Sequence, residues 1–244
     1  MEPGWSGRGV DGRVGAMLID HRDVLLDAVL AAVPARGRAL VGVDGVGASG
    51  KSTFADALVA RAHPRPTVLL HVDDFFHPPE VRHARGRLSP EGFWLDAYDY
   101  DALVASALDP LARGGAFRRA SSADPEPAPD DALVVVEGTF LHRDELARFW
   151  DVSVYLDVPT SEVHRRMRAR GRLDPALADA QLARYDGAQR LYFAAARPWE
   201  RATFVVDNTA PTTPTLVPPE AAHAAHSLPA PPSPADRAPS SPTA

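Results

Sequence analysis

Residues Gly45-Val46-Gly47-Ala48-Ser49-Gly50-Lys51-Ser52 fit the spacing G-x-x-x-x-G-K-[ST], and Thr53 follows directly. Glycines let successive backbone N–H groups converge on phosphate oxygens, and a helix beginning at the lysine adds the positive end of its dipole. Lys51 offers a compact charge to the β- and γ-phosphates, and Ser52 a hydroxyl to Mg²⁺. Of the 26 Lys and Arg residues, 25 are Arg and only Lys51 is Lys. A planar, bulkier guanidinium replaces an ammonium poorly in such a cradle, a physical reason for the lone Lys to stand here. The stretch Gly45 to Thr53 is therefore a candidate ATP-binding loop, with ATP and Mg²⁺ as expected cofactors.

Two carboxylates and a set of arginines extend this chemistry. Asp73 directly follows the apolar run TVLLHV, and Glu137 ends the run LVVVE. Strands of a parallel sheet deliver their C-terminal ends to one ligand crevice, so both acids are expected to face the phosphate loop. Asp73 can accept the proton of an acceptor hydroxyl, and Glu137 together with Ser52 can hold a metal and its water. Arg165, Arg166, Arg168, Arg170 and Arg172 form a basic run. Mobile arginines closing over a transferring phosphoryl group would stabilise its charge; of these, Arg170 and Arg172 are the candidates. An N-K-x-D guanine-reading motif is excluded, because the single Lys is already placed. A small-molecule kinase is the common class that remains.

These residues need a scaffold to bring them together. Apolar periodicity predicts a helix from Ile19 to Val33, ended by Pro34 and Gly37. Strands are expected at Arg38–Asp44, Thr67–Val72, Leu133–Glu137, Val152–Asp157 and Thr203–Asp207. Helices are expected at Lys51–Ala62, Asp99–Leu111, Asp144–Phe149, Ser161–Arg170 and Asp174–Ala196, the last with a break near Gly187. Apolar strands alternating with helices imply a parallel sheet covered on both faces. Residues 1–16 read as a flexible lead-in, 17–208 as one domain, and 209–244, rich in Pro, Ala, Ser and Thr, as a disordered tail.

The segments VDGVGASGKST, HVDDFFHP, LVVVEG and RRMRARGR, then RY, LYF and VVDN, together resemble the uridine kinase-like branch of the P-loop kinases. That branch also holds nicotinamide riboside kinase and phosphoribulokinase, and the resemblance spans about Ala39 to Asn208. It implies a three-layer α/β/α fold with a five-stranded parallel sheet. It further implies transfer of the γ-phosphate of ATP–Mg²⁺ to a sugar primary hydroxyl. By the same resemblance Asp73 is the base, Ser52 and Glu137 belong to the metal site, Phe76 contacts the nucleoside, and Arg170 and Arg172 form the lid. Tyr98 lies in the Asp96-Ala97-Tyr98-Asp99 motif and, with His83 and Trp94, is a candidate for the acceptor pocket. Phe93 stands where uridine kinases carry an Asp for the ribose hydroxyls, and Arg113 to Asp131 contains none of the family's pyrimidine-reading Tyr or His.

Composition narrows the classes further. With no Cys there is no disulfide, thiolate metal site or cysteine nucleophile. The net charge of −6 argues against general nucleic-acid binding. No apolar run approaches the length of a membrane span, and residues 1–16 lack the apolar core of a secretory signal, so a cytoplasmic chain is expected. The expected partner is a small phosphate acceptor, uridine- or cytidine-like. Nicotinamide riboside, a sugar phosphate or pantothenate are the alternative acceptors, and a non-enzymatic ATP-binding module is the rival from another class.

Overall fold

In the computed structural model, residues 21–171 and 173–227 are described. Helix α1 (His21–Ala32) and strand β1 (Ala39–Gly45) lead into the loop and helix α2 (Lys51–Arg61). Strand β2 (Thr67–His71) is followed by a 3-10 turn at Val72–Phe75 and two short helices, α3 (Pro79–Arg82) and α4 (Pro90–Asp96). The expected helix near 99–111 is α5 (Tyr100–Leu103) and α6 (Asp109–Ala112), joined through a π-helical turn at Val104–Leu108. Strand β3 (Leu133–Gly138), α7 (Asp144–Ala147), β4 (Val152–Asp157), α8 (Thr160–Ala169), α9 (Ala178–Ala196), α10 (Pro198–Arg201) and β5 (Phe204–Asp207) complete the alternation.

These five strands lie in the order β2-β3-β1-β4-β5, and every pair among them is parallel. Successive side chains point to opposite faces of the sheet, and β1, β3 and β4 are buried throughout because both faces are covered. Val41, Val43, Leu133 and Val135 join Leu25, Val29, Phe54 and Leu58 beneath α1 and α2. Leu40, Val134 and Val136 face the other way, into a core shared with Phe140, Tyr192 and Trp199. Each fully buried aliphatic side chain contributes about 1.5–3 kcal/mol. Strand β1 has β3 on one side and β4 on the other, so the loop leaving it opens at the place where the chain changes direction across the sheet.

Two expectations are corrected. The sheet has six strands rather than five, because Thr215–Leu216 (β6) pairs antiparallel with β5. The domain therefore does not stop at Asn208. Beyond β6, 3-10 turns at Pro219–Ala221 and His223–His226 pack on the body, and Ala222 and Ala224 are buried. The backbone N–H groups of His223 and Ala224 donate to the carboxylate of Asp157 at the end of β4, at 2.6 and 3.1 Å. Burial raises the Asp157 carboxyl above its usual value, and these two donors oppose that. A Pro- and Ala-rich composition hides such a segment, since its hold comes from backbone donors and one buried acid rather than from an apolar stripe. The expected lead-in at 1–16 lies outside the described residues, as does the tail from 228 onward.

The second correction concerns α9, which is continuous through Gly187. A Cβ at Gly187 would lie 2.6 Å from the Cβ and Cγ of Pro90, so the glycine marks the close approach of α4 rather than a break. Helix α4 is started by Ser89, whose Oγ accepts from the Gly92 N–H at 3.0 Å.

No helix among the described residues is long and apolar enough to cross a membrane. Gly187→Ala should lower stability by about 1–3 kcal/mol through overpacking, read as a shift of the urea midpoint at unchanged slope. Ending the chain at Asn208 should cost at least about 2 kcal/mol, because Asp157 loses both donors; a melting curve matching that of the full chain would contradict this docking.

Candidate active site

The phosphate loop closes on itself through Ser49 N–H to the Val46 carbonyl at 3.1 Å, with Ala48 in the left-handed region at φ 61°. Lys51 Nζ donates to the same Val46 carbonyl at 3.1 Å, curling over the loop. Two side chains brace the loop from outside. Asn208 Nδ2 donates to the Ser49 carbonyl at 2.7 Å. The Arg166 guanidinium donates to the carbonyls of Ala48, Asn208 and Thr209 at 3.1, 2.8 and 2.9 Å, and its Nε to Glu162 at 2.7 Å. Hydrogen bonds from Arg165 and Arg166 push the Glu162 carboxyl down to about 2.

Beneath the loop sits a buried polar network. Asp44, the penultimate residue of β1, accepts from the N–H groups of Gly45 (2.7 Å), Phe140 (3.1 Å) and His142 (3.3 Å). It also pairs with His142 Nδ1 at 2.7 Å and takes a short hydrogen bond from the Tyr192 hydroxyl. His142 Nε2 meets Ser153 Oγ at 3.0 Å. Burial pushes the Asp44 carboxyl up, but His142, Tyr192 and the Gly45 N–H outweigh it, so the carboxyl lies below its usual range.

Glu137 and Asp73 meet the loop from neighbouring strand ends. Ser52 Oγ donates to Glu137 Oε1 at 3.1 Å, and His71 Nδ1 approaches the same oxygen at 2.7 Å. Gly138, next along β3, lets the turn bearing Asp73 come this close: a Cβ there would lie 2.4 Å from Val72 Cγ2. Asp73 is exposed and accepts from the Tyr98 hydroxyl at 3.0 Å. Burial, with the Asp73 charge beside it, raises the Tyr98 phenol well above its usual range, so it remains a donor. Phe76 stacks on Tyr98 with ring centroids 4.5 Å apart, and Phe93 lies 6.2 Å from Tyr98.

These groups line one cavity of about 310 Å³. Its lining combines Gly47, Ala48, Gly50, Lys51, Ser52 and Thr53 of the loop and the start of α2 with Asp73, Phe76, Phe93, Tyr98, Glu137, Thr139, Arg170 and Tyr185 from elsewhere in the chain. Burial pushes the Lys51 ammonium below its usual value and Arg170 adds to this, while the charges of Glu137, Asp73 and Asp44 oppose it. Ser52 and Glu137 supply hard oxygen donors of the kind Mg²⁺ takes alongside phosphate and water. Among the described residues no group of three or more His, Cys, Asp or Glu could cage a metal alone.

Other candidates lie elsewhere. Gly45 and Ser49 are buried behind the loop, and Val46 lines a second cavity of about 210 Å³ with Asp157, Gln189 and His223. Trp94 belongs to the core, edge-on to Phe140 at 4.9 Å, and His83 does not line the cavity. Arg172 lies outside the described residues. Arg165 and Arg168 are tied to Glu162 and Asp179. Sequence reasoning assigned no role to Asp44, His71, His142, Arg166, Tyr185 or Tyr192. Asn208 did carry a signal, as the single Asn of the chain.

No family model matches the sequence. A stretch of 74 residues is 43% identical to pantothenate kinase of Rhodopseudomonas palustris strain TIE-1, covering 29% of this chain and 23% of that protein. The strain BisB5 protein is 42% identical over the same length. The chain thus spans about a quarter of the length of the curated relatives it matches. Among solved structures, a possible uridine kinase from Bacillus stearothermophilus superposes with TM-score 0.58 at 24% identity, covering 76% of this chain and 97% of that one. A protein provisionally named a fructose transport system kinase, from Silicibacter sp. TM1040, gives 0.55 at 25% identity over 72% of this chain and 95% of that one. The chain has the α/β fold of these P-loop kinase structures.

Replacing Asp44 with Ala should cost about 3–5 kcal/mol, because five donors lose one buried acceptor. The pH sign follows from the depressed carboxyl. Its stabilisation is fully present above the unfolded value of about 3.9 and is lost as pH falls through the folded value. Urea midpoints of the wild type should therefore drop on acidification below about pH 4 more steeply than those of Asp44→Asn.

Proposed function

We propose that this chain is an ATP-dependent kinase that transfers the γ-phosphoryl group to a hydroxyl of a nucleoside, uridine- or cytidine-like, or of a related small metabolite. The observation that carries the reading is that Lys51 and Asp73 line one cavity, whose lining also holds the hydrogen-bonded pair Ser52 and Glu137. Bound ATP with Mg²⁺ would supply the phosphoryl donor and the metal charge that spreads over it.

The division of labour follows from chemistry. Lys51 and the loop N–H groups hold the β- and γ-phosphates. Ser52 and Glu137 hold the metal and its water. Asp73 orients the acceptor hydroxyl and takes its proton, while the Tyr98 hydroxyl fixes the carboxylate through its other contact. Arg170, and Arg172 by proposal, neutralise the transferring group and exclude water. A cleft of about 150 Å³ bounded by Ala48, Thr53, Arg166, Asn208 and Pro211, which shares Ala48, Gly50, Thr53 and Arg170 with the main cavity but not Asp73, suits the base and ribose of ATP. Phe76, partly exposed and stacked on Tyr98, offers a flat apolar wall to the acceptor. The local identity to pantothenate kinases supports a kinase for an acceptor other than a nucleoside as the second reading.

Asp73→Asn tests the assignment, since Asn still accepts from Tyr98 but takes up a proton poorly. Acceptor-dependent ADP release should fall about 10²- to 10⁴-fold, with nucleotide affinity unchanged by calorimetry. Wild-type turnover in the variant would remove Asp73 from the reaction. Absence of acceptor-dependent ADP release from the wild type, across nucleosides, ribosides and hydroxy acids, would favour a non-enzymatic nucleotide-binding module.

A further inference from the structure

We propose that the acceptor carries an oxyanion group, a carboxylate or a phosphate, and that Arg82 and Arg184 hold it beside the aromatic wall of the cavity. This rests on the kinase reading above and narrows its acceptor.

The two guanidinium groups converge on the rings of the acceptor side. The Arg82 guanidinium carbon lies 5.2 Å from the centroid of Phe76. That of Arg184 lies 4.5 Å from Phe93 and 5.4 Å from Tyr185. All three rings line the cavity that holds Asp73. Both Nε atoms are buried without a hydrogen-bond partner, and among the described residues neither arginine has an acidic partner.

Other arginines of similar burial are treated differently. Arg38 donates to the carbonyls of Leu111, Gly115 and Pro129, and Arg143 pairs with Glu145. Ring contacts offset part of the cost of a half-buried guanidinium, but beyond the hydrogen bond between Arg184 and Tyr185 they leave both Nε donors unmet. The charges also crowd one another. Burial lowers Arg184 from its usual value and Arg82 adds to this; burial lowers His83 too, with Arg82, Arg87 and Arg184 contributing. A cluster of positive charge without an acidic partner, packed on rings that line the cavity, is completed by an anion.

The wall gives the ligand its shape. Tyr98 holds Asp73 at one end, stacks on Phe76 and lies beside Phe93. A hydroxyl placed at Asp73 and a flat or aliphatic middle along the rings would bring a terminal anion to Arg82 and Arg184. A guanidinium reads a carboxylate or phosphate through paired, planar donors. A neutral nucleoside would give neither guanidinium a counter-charge.

The test compares acceptor-dependent ADP release within matched pairs: glycerate against glycerol, pantothenate against its alcohol, and a hexose phosphate against the free hexose, with uridine and cytidine alongside. The anionic member should be favoured by at least about 10-fold in kcat/KM, and whether the carboxylates or the phosphate lead identifies the group. Arg82→Gln and Arg184→Gln should raise KM for that acceptor about 10- to 100-fold with kcat little changed; Arg184→Lys, which keeps the charge without the fork, should lie between. Preference for neutral acceptors, or an unchanged KM in both Gln variants, overturns the proposal. If no acceptor gives ADP, the kinase reading fails, and calorimetric titration with the same anions decides the arginine site separately. Binding that both Gln variants lose and Lys51→Ala keeps supports it, and no binding of any anion overturns it.

Discussion

The buried carboxylate of Asp44 is the constraint on which the site depends. It sits at the end of the central strand, receives the first N–H of the phosphate loop, fixes the turn after β3 through Phe140 and His142, and reaches α9 through Tyr192. A charge this deep is tolerable only when every lone pair is used. Satisfying it forces three separate segments into one arrangement: the loop carrying Lys51, the strand end carrying Glu137, and the helix carrying Arg184 and Tyr185. The loop and the other elements of the cavity are thus coupled through one buried side chain that does not itself line the cavity.

The two halves of the cavity are built in different ways. The phosphate side is a contiguous stretch of chain, shaped by its own turn and braced by Asn208 and Arg166. The acceptor side is assembled from the turn after β2, from α4, from the strand end of β3 and from α9, with Tyr98 tying the wall to Asp73. Sequence-local construction suits a donor whose triphosphate is always the same shape. In the proposed kinase reading, construction from scattered elements lets the acceptor be changed without disturbing the cradle, with Arg82 and Arg184 setting the preference of this chain.

That contrast also explains what the sequence made legible. The loop, Asp73 and Glu137 were readable because contiguous apolar strands end at them, and a parallel sheet turns strand ends into neighbours. Lys51 stood out as the one ammonium among guanidiniums. The Asp44 network was not readable, since its members lie 98 and 148 positions away from it in the chain. Arg166 is one arginine among several in the basic run, with nothing in the sequence to mark it, yet it ties the loop carbonyl of Ala48 to Glu162 and to the carbonyls of Asn208 and Thr209. Gly187 suggested a helix break, although its partner Pro90 lies on another helix. Strand β6 and the turns that cap Asp157 carry no apolar periodicity, so composition alone assigned them to a tail.

The central claim is that the loop around Lys51 is a working triphosphate cradle. Calorimetric titration of the full chain with a non-hydrolysable ATP analogue, with and without Mg²⁺, tests it most directly. The account predicts saturable one-to-one binding that strengthens with Mg²⁺ and is lost in Lys51→Ala. No heat of binding, or equal affinity in wild type and variant, would contradict it.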